Sequence, residues 1–361
     1  MASHFYDVVP GRAARVVFSH NLAFFTGHAA PQYPTLQKQT EAVLKRYEEL
    51  FDQFGLLKKN IIYAACYLKN ADEEEEFARA YTQWCDPENP PAGYTVTGIP
   101  IQHSPVGDNV LVELQFIVAT DPEAKIKRYD IAKGCRVAVY DGMAYFTGHV
   151  SPKEDGAEKQ TQSVLARYEE LFKRFHLKKE NVVAAYAFLK NADQYEAVTK
   201  QMADFFGENP PAAVIVGASP NQNTAMGPRI EIELALFVAT GEKPDIVRRD
   251  VFPGMSRVVE YNGLAWFSAH CASSGSTLKE QTAVLAERYS ELFEQFGYKR
   301  ENVVMAYGYV RDIGKCLEFE APMSTWRDQE RPPAGVLVEA GMCGPECHLE
   351  LQFIVSVDES E

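Results

Sequence analysis

The chain has 361 residues, 46% of them hydrophobic and 24% charged, with a formal net charge of −14. That length can bury sizeable cores in two or three domains. The acidic balance excludes a phosphate-binding nucleic-acid face, which needs clustered Lys and Arg, and no apolar run approaches the roughly 20 residues of a membrane helix.

The opening, "MASHFYDVVPGRAARV", has no charged-then-apolar leader pattern. Seven cysteines, at 66, 85, 135, 271, 316, 343 and 347, recur at no common interval. A disulfide framework is therefore not expected, and a reducing, cytoplasmic setting is. Cys343 and Cys347 read as two ordinary thiols.

Three segments repeat in order. "FFTGH", "YFTGH" and "WFSAH" end in His28, His149 and His270, 121 residues apart at each step. Each is preceded by an Arg-Val pair beginning at Arg15, Arg136 or Arg257. A variable loop follows, then a helix with an apolar stripe: Val43, Leu44, Tyr47, Leu50, Phe51 and Phe54 in the first copy. Gly55 and Gly297 suit its C-cap, and His176 replaces them in the middle copy. β-rich runs come next ("IIYAACYLKN", "VVAAYAFLKN", "VVMAYGYVRD"), then a second helix. Its buried face is Phe77, Tyr81 and Trp84, then Val198, Met202 and Phe205, then Phe319, Met323 and Trp326. Pro322 is expected to restrict or kink the last of these. A Pro-Pro-Ala tripeptide and two strands close each unit. The expected units are 1–124, 125–245 and 246–361, each an α+β layer with helices on one face of a mixed sheet.

The aromatic strand ending in Thr-Gly, the Gln-Thr helix start, "VL…ELF..FG", the Pro-Pro-Ala tripeptide and a Glu inside the last apolar strand resemble the RidA (YjgF) family, three times over. The resemblance implies a chorismate mutase-like fold in each unit and a homotrimer fused into one chain as a pseudo-trimer, with clefts between neighbouring units. Such a chain is expected as a monomer or a dimer of pseudo-trimers. It also implies enamine/imine deaminase chemistry without a cofactor. The family's carboxylate-binding arginine, just after the Pro-Ala pair, is replaced here by Gly93, Ala213 and Gly335.

Candidate site groups recur in register. Glu113, Glu233 and Glu350 match the family glutamate that positions water, and burial in an apolar strand favours proton transfer. His28, His149 and His270 suit general acid–base work; three converging on an axis would instead make a metal site, though none is expected. Arg15, Arg136 and Arg257 are candidates for taking over anion binding, against a plain reading as surface salt bridges. Gln39, Gln160 and Gln281 read as helix-start hydrogen bonding. Arg46, Arg167 and Arg288, with Tyr47, Tyr168 and Tyr289, read as helix surface and inter-unit packing. The third unit departs most, with Ser268-Ala269 for Thr-Gly and with Cys271, Ser273 and Ser274 after its histidine. Cys271 reads as a small buried residue. The expected activity is hydrolysis of C–N bonds, deaminating a small anionic or carbonyl/imine-bearing compound. A tautomerase and a non-catalytic ligand-binding module are the alternatives.

Overall fold

The computed structural model describes residues 3–70, 73–97, 99–100, 109–132, 134–218, 227–272 and 274–357. Each repeat folds as one mixed sheet with two helices on one face. In the first, the strand order is His4–Tyr6, Val16–Ser19, Leu22–Phe25, Val112–Ala119, Ile61–Leu68, Ala92–Thr97. The last two run parallel and all other neighbours antiparallel. The second unit repeats this order, and the third adds Ile99–Pro100 of the first unit at its edge, beside Val338 and Glu339.

The long helices are α1 (Leu36–Phe54), α3 (Ala157–Phe175) and α5 (Leu278–Phe296); the shorter ones are α2 (Glu74–Trp84), α4 (Tyr195–Phe206) and α6 (Cys316–Trp326). Thr35 and Thr277 cap α1 and α5 by accepting from backbone N–H groups, and Gly55, His176 and Gly297 end the long helices in the left-handed region. Helix α6 runs on through Pro322 to Trp326, so the proline does not end it.

Central strands such as Ile61–Leu68 are buried along their whole length, because both faces are covered. One face packs on the unit's own helices: Val43, Tyr47, Leu50 and Phe51 of α1 meet Phe25, Leu114 and Phe116. The other face joins a single cluster shared by all three units, including Tyr63, Tyr94, Tyr145, Tyr186, Tyr307 and Tyr309. Helices thus lie outside and three sheets face one another within, a fused pseudo-trimer.

One hydrogen-bond pattern closes the ring. Gly335 N–H donates to Thr26 Oγ1 (3.0 Å), Gly93 N–H to Thr147 Oγ1 (3.2 Å) and Ala213 N–H to Ser268 Oγ (2.8 Å). Each hydroxyl also donates within its own unit, to the carbonyl of Ala14, Cys135 or Ser256. The next residue donates back: Gly27 to Gly335 O, Gly148 to Gly93 O, Ala269 to Ala213 O. Unit 1 is thereby stitched to unit 3, unit 2 to unit 1, and unit 3 to unit 2. Thr147→Val removes the hydroxyl and leaves the Gly93 N–H unpaired inside the seam, for which we expect a loss of about 1–3 kcal/mol. A fall in the urea midpoint at unchanged m-value checks it. Thr147→Ser, the residue type of the third unit, should cost under about half as much; equal losses would mean that methyl packing, not the hydroxyl, holds the seam.

Candidate functional site

The seams create three clefts. The first lies between units 1 and 3, a cavity of about 330 Å3 lined by Gly27, His28, Arg46 and Glu113 of the first unit and by Gly308, Phe319, Arg327 and Gly335 of the third. The second lies between units 2 and 1, about 620 Å3, lined by Gly148, Val150 and Glu233 on one side and by Cys66, Glu74, Phe77 and Tyr81 on the other. At the third seam, between units 3 and 2, Ala269 donates to Ala213 O and Cys343 Sγ bonds both Ile215 O and Glu350, so the third unit's glutamate lies against the second unit.

The glutamates are buried at the cleft floors, 4–5% exposed. Their placement explains the Thr-Gly dipeptide. A Cβ on Gly27 would stand 1.8 Å from Glu113 Oε1, and one on Gly148 would stand 1.8 Å from Glu233 Oε1. Only glycine lets the carboxylate lie there. In the third unit Ala269 holds that place, and Glu350 Oε1 accepts instead from Cys343 Sγ (2.8 Å) and Cys343 N–H (3.3 Å). Burial pushes the Glu350 carboxyl up to about 7.

The histidines stand at separate seams, His28 lining the first cleft, and each packs on the tyrosine of its own long helix with ring centroids 4.8–5.1 Å apart. They do not converge on an axis, and among the described residues no group of three or more His, Cys, Asp or Glu could hold a metal ion. His149 Nδ1 lies 3.0 Å from Tyr168 Oη and its Nε2 3.3 Å from Arg136. His28 Nε2 and His270 Nδ1 are buried without a hydrogen-bond partner. Burial first, and neighbouring arginines second, push all three down to about 3, so each imidazole is neutral near pH 7.

Other readings change. Arg15, Arg136 and Arg257 pair with Asp7 (3.6 Å), Asp130 (2.9 Å) and Asp250 (3.0 Å), and none is among the residues lining the first two cavities. Arg46, Arg167 and Arg288 are not plain helix surface: each reaches the carbonyl of the residue after its histidine (Ala29, Val150, Cys271), and Arg46 lines the first cleft. Tyr47, Tyr168 and Tyr289 are fully buried and donate to Leu114, Leu234 and Leu351 on the last strands. Gln39, Gln160 and Gln281 do more than start a helix. Each amide ties the loop before its helix to the loop before the last strand, as Gln39 does by donating to Tyr33 O and Asn109 O. Cys271, expected as a small buried residue, and Cys347, expected as an ordinary thiol, form a disulfide. Ser273 lies outside the described residues.

Arg327 was not singled out from the sequence. It follows α6, is 8% exposed and lines the first cleft with its Nε unpaired, while Nη1 donates to Glu320 (2.9 Å) and Arg12 O (2.9 Å). The first unit has Cys85 at the corresponding place, so no repeat signal marked it. The family arginine is excluded sterically from position 93, where a Cβ would meet Ala64 O at 2.1 Å.

The buried histidines make stability depend on pH. With folded values near 3 against 6.5, the unfolded chain binds more protons between those limits, so stability falls as pH drops below 6.5. Glu350 acts oppositely: raised from 4.5 to about 7, it favours the folded state at low pH and loses that contribution as pH rises through 7. Near pH 5.5 three histidines outweigh one glutamate, and these four groups together give a rise of about 2.5 kcal/mol per pH unit. Urea titrations between pH 5 and 6 measure it. His149→Gln should remove about a third of the histidine contribution to the slope; an unchanged slope would show that this imidazole is not buried neutral.

Comparison with known proteins agrees with the fold. The Endoribonuclease L-PSP family profile matches residues 130–239, the middle unit. A RutC family protein of Haemophilus ducreyi is 30% identical over 102 residues, 27% of this chain and 87% of the relative. A YjgF-family crystal structure from Neisseria meningitidis is 28% identical and covers 33% of this chain and 100% of its own, with a TM-score of 0.32. A chorismatase, 13% identical, covers 82% of this chain and 93% of its own with a TM-score of 0.54, a likeness of fold across the whole assembly. No helix among the described residues is long and apolar enough to cross a membrane. With its relatives' unit present in three linked copies, the chain belongs to the RidA/YjgF family.

Proposed function

We propose that the first cleft is a hydrolytic deaminase site for a small anionic compound with a C=N bond. The observation that supports this most is that Glu113, placed over Gly27, shares one cavity with Arg46 and the buried Arg327 of another unit. Family membership supports a small-molecule deaminase or binding module, and the cleft chemistry favours the former.

The Glu113 carboxylate takes a proton from a water molecule as its oxygen attacks the imine carbon. The nitrogen of the adduct takes that proton, and as the C–N bond breaks Glu113 carries the hydroxyl proton to the departing nitrogen, so that an imine and water give a carbonyl compound and ammonia. His28, neutral near pH 7, serves as a hydrogen-bonding group toward the substrate through its unpaired Nε2, leaving proton transfer to Glu113. Arg327 takes the part of the family arginine from a different element. Guanidinium suits a carboxylate because its fork meets two oxygens. In the second cleft Glu74 and Glu75 accompany Glu233, and this gathering of carboxylates disfavours an anionic substrate there.

Ammonia release from a panel of imino acids and enamides, with chelator present, tests the reading. Glu113→Gln should lower kcat/KM about 10²–10⁴-fold, while Glu233→Gln leaves it within a few-fold. Gly27→Ala should be nearly as damaging with little change in melting temperature, since the third unit already carries alanine there. Arg327→Lys should raise KM for anionic substrates and spare neutral ones. If no panel compound releases ammonia, yet small carboxylates raise the melting temperature in wild type and not in Arg327→Lys, the cleft is a binding module. Proton exchange at a substrate carbon without ammonia would instead make it a tautomerase.

A further inference from the structure

The walls of the first two clefts share two positions. After the histidine stands Ala29 or Val150, and three residues before the glutamate stands Val110 or Ile230; all four line their cavities. In the third unit the same two positions are Cys271 and Cys347, joined by the disulfide across 76 residues. The bond replaces an apolar pair in the cleft wall. It does not belong to a stabilising framework, because the five other cysteines are unpaired and four of them are buried singly.

The surrounding contacts say what the bond controls. Cys271 pairs in register with Glu350 on the neighbouring strand. Cys343, four residues before Cys347, donates through Sγ to Glu350 and to Ile215 O of the second unit, and Gly341 exchanges backbone hydrogen bonds with Gly217. Residues 341–347 therefore lie across the third cleft, over its glutamate. Gln281 and Arg311 hold the far end of that segment at Gly344, Glu346 and Cys347. The disulfide adds the tie to the strand bearing His270.

We infer that the third cleft is a redox-operated site, closed over Glu350 while Cys271 and Cys347 are joined and opened when a small thiol reduces them. Cys271 is the more exposed residue of the pair, half-buried where Cys347 is buried, and so the one a small thiol attacks. A thiolate of the small thiol attacks Cys271 Sγ, the S–S bond breaks, and Cys347 leaves as a thiolate that takes a proton. A second thiol releases Cys271 and forms the small-molecule disulfide; oxidation by that disulfide reverses both steps. Cys343 is not the attacking group. Burial and the adjacent Glu350 keep it protonated, so it stays a hydrogen-bond donor.

The test uses the full chain in glutathione mixtures of graded oxidised and reduced content and needs no substrate. Denatured after an acid quench, the oxidised form should show five alkylatable thiols and the reduced form seven, interconverting in both directions. Under native conditions, labelling of Cys343 by a maleimide should rise at least ten-fold on reduction. Cys271→Ala with Cys347→Val installs the pair that the first cleft uses, so folding should be kept. In that variant Cys343 labelling should be fast and indifferent to the mixture. Seven thiols at every composition, or Cys343 labelling that is the same in oxidised and reduced protein, would overturn the inference.

Discussion

Every cleft in this molecule depends on one hydroxyl placed between two chains of backbone. Thr26, Thr147 and Ser268 each donate to a carbonyl of their own unit and accept an N–H of a neighbour. A hydroxyl can do both at once, which a methyl or a carboxylate cannot. The following residue is then held against the neighbour's backbone, and its Cα becomes the floor beside the buried glutamate. Whether that residue is glycine or alanine decides where the carboxylate goes. The seam that assembles the pseudo-trimer is thus also the part that sets up its chemistry, and assembly and site geometry cannot be varied independently.

Within that shared frame the three clefts have separated by charge and by covalent bonding. The first gathers arginines from two units around Glu113; the second adds carboxylates to Glu233; the third places a thiol on Glu350 and a disulfide in its wall. A homotrimer cannot do this, because each substitution appears three times. Linking the units makes each seam separately addressable and supplies the neighbouring wall at high effective concentration.

The fold was largely legible because it is repeated. A stripe such as Val43, Tyr47 and Leu50 recurs in α3 and α5, and a glutamate inside an apolar strand recurs three times, so tertiary noise at one copy is averaged out by the others. The same method misses whatever occurs once. Arg327 follows a short helix whose counterpart in the first unit carries cysteine, and the Cys271–Cys347 pair spans 76 residues with no echo elsewhere. The recurrent arginines at 15, 136 and 257 drew attention by spacing, yet their partners are aspartates in a neighbouring strand or turn, which only coordinates reveal. Register also showed the Thr-Gly dipeptide without its reason, since a missing Cβ has meaning only once the Glu113 carboxylate is seen in its place.

The buried histidines follow the same logic of frame before chemistry. His28, His149 and His270 bridge by backbone or strand pairing to Leu114, Leu234 and Leu351, next to the glutamates. Each tyrosine that backs the ring also donates to that leucine's carbonyl. One aromatic side chain therefore fixes both the imidazole and the strand carrying the carboxylate. An imidazole held neutral by burial avoids adding a positive charge beside two arginines, which would otherwise repel them from the cleft. Glutamine would meet the same requirement at every pH. Below about pH 6.5 histidine meets it only while the seam keeps water away, and so ties the electrostatics of each site to the integrity of the joint between units.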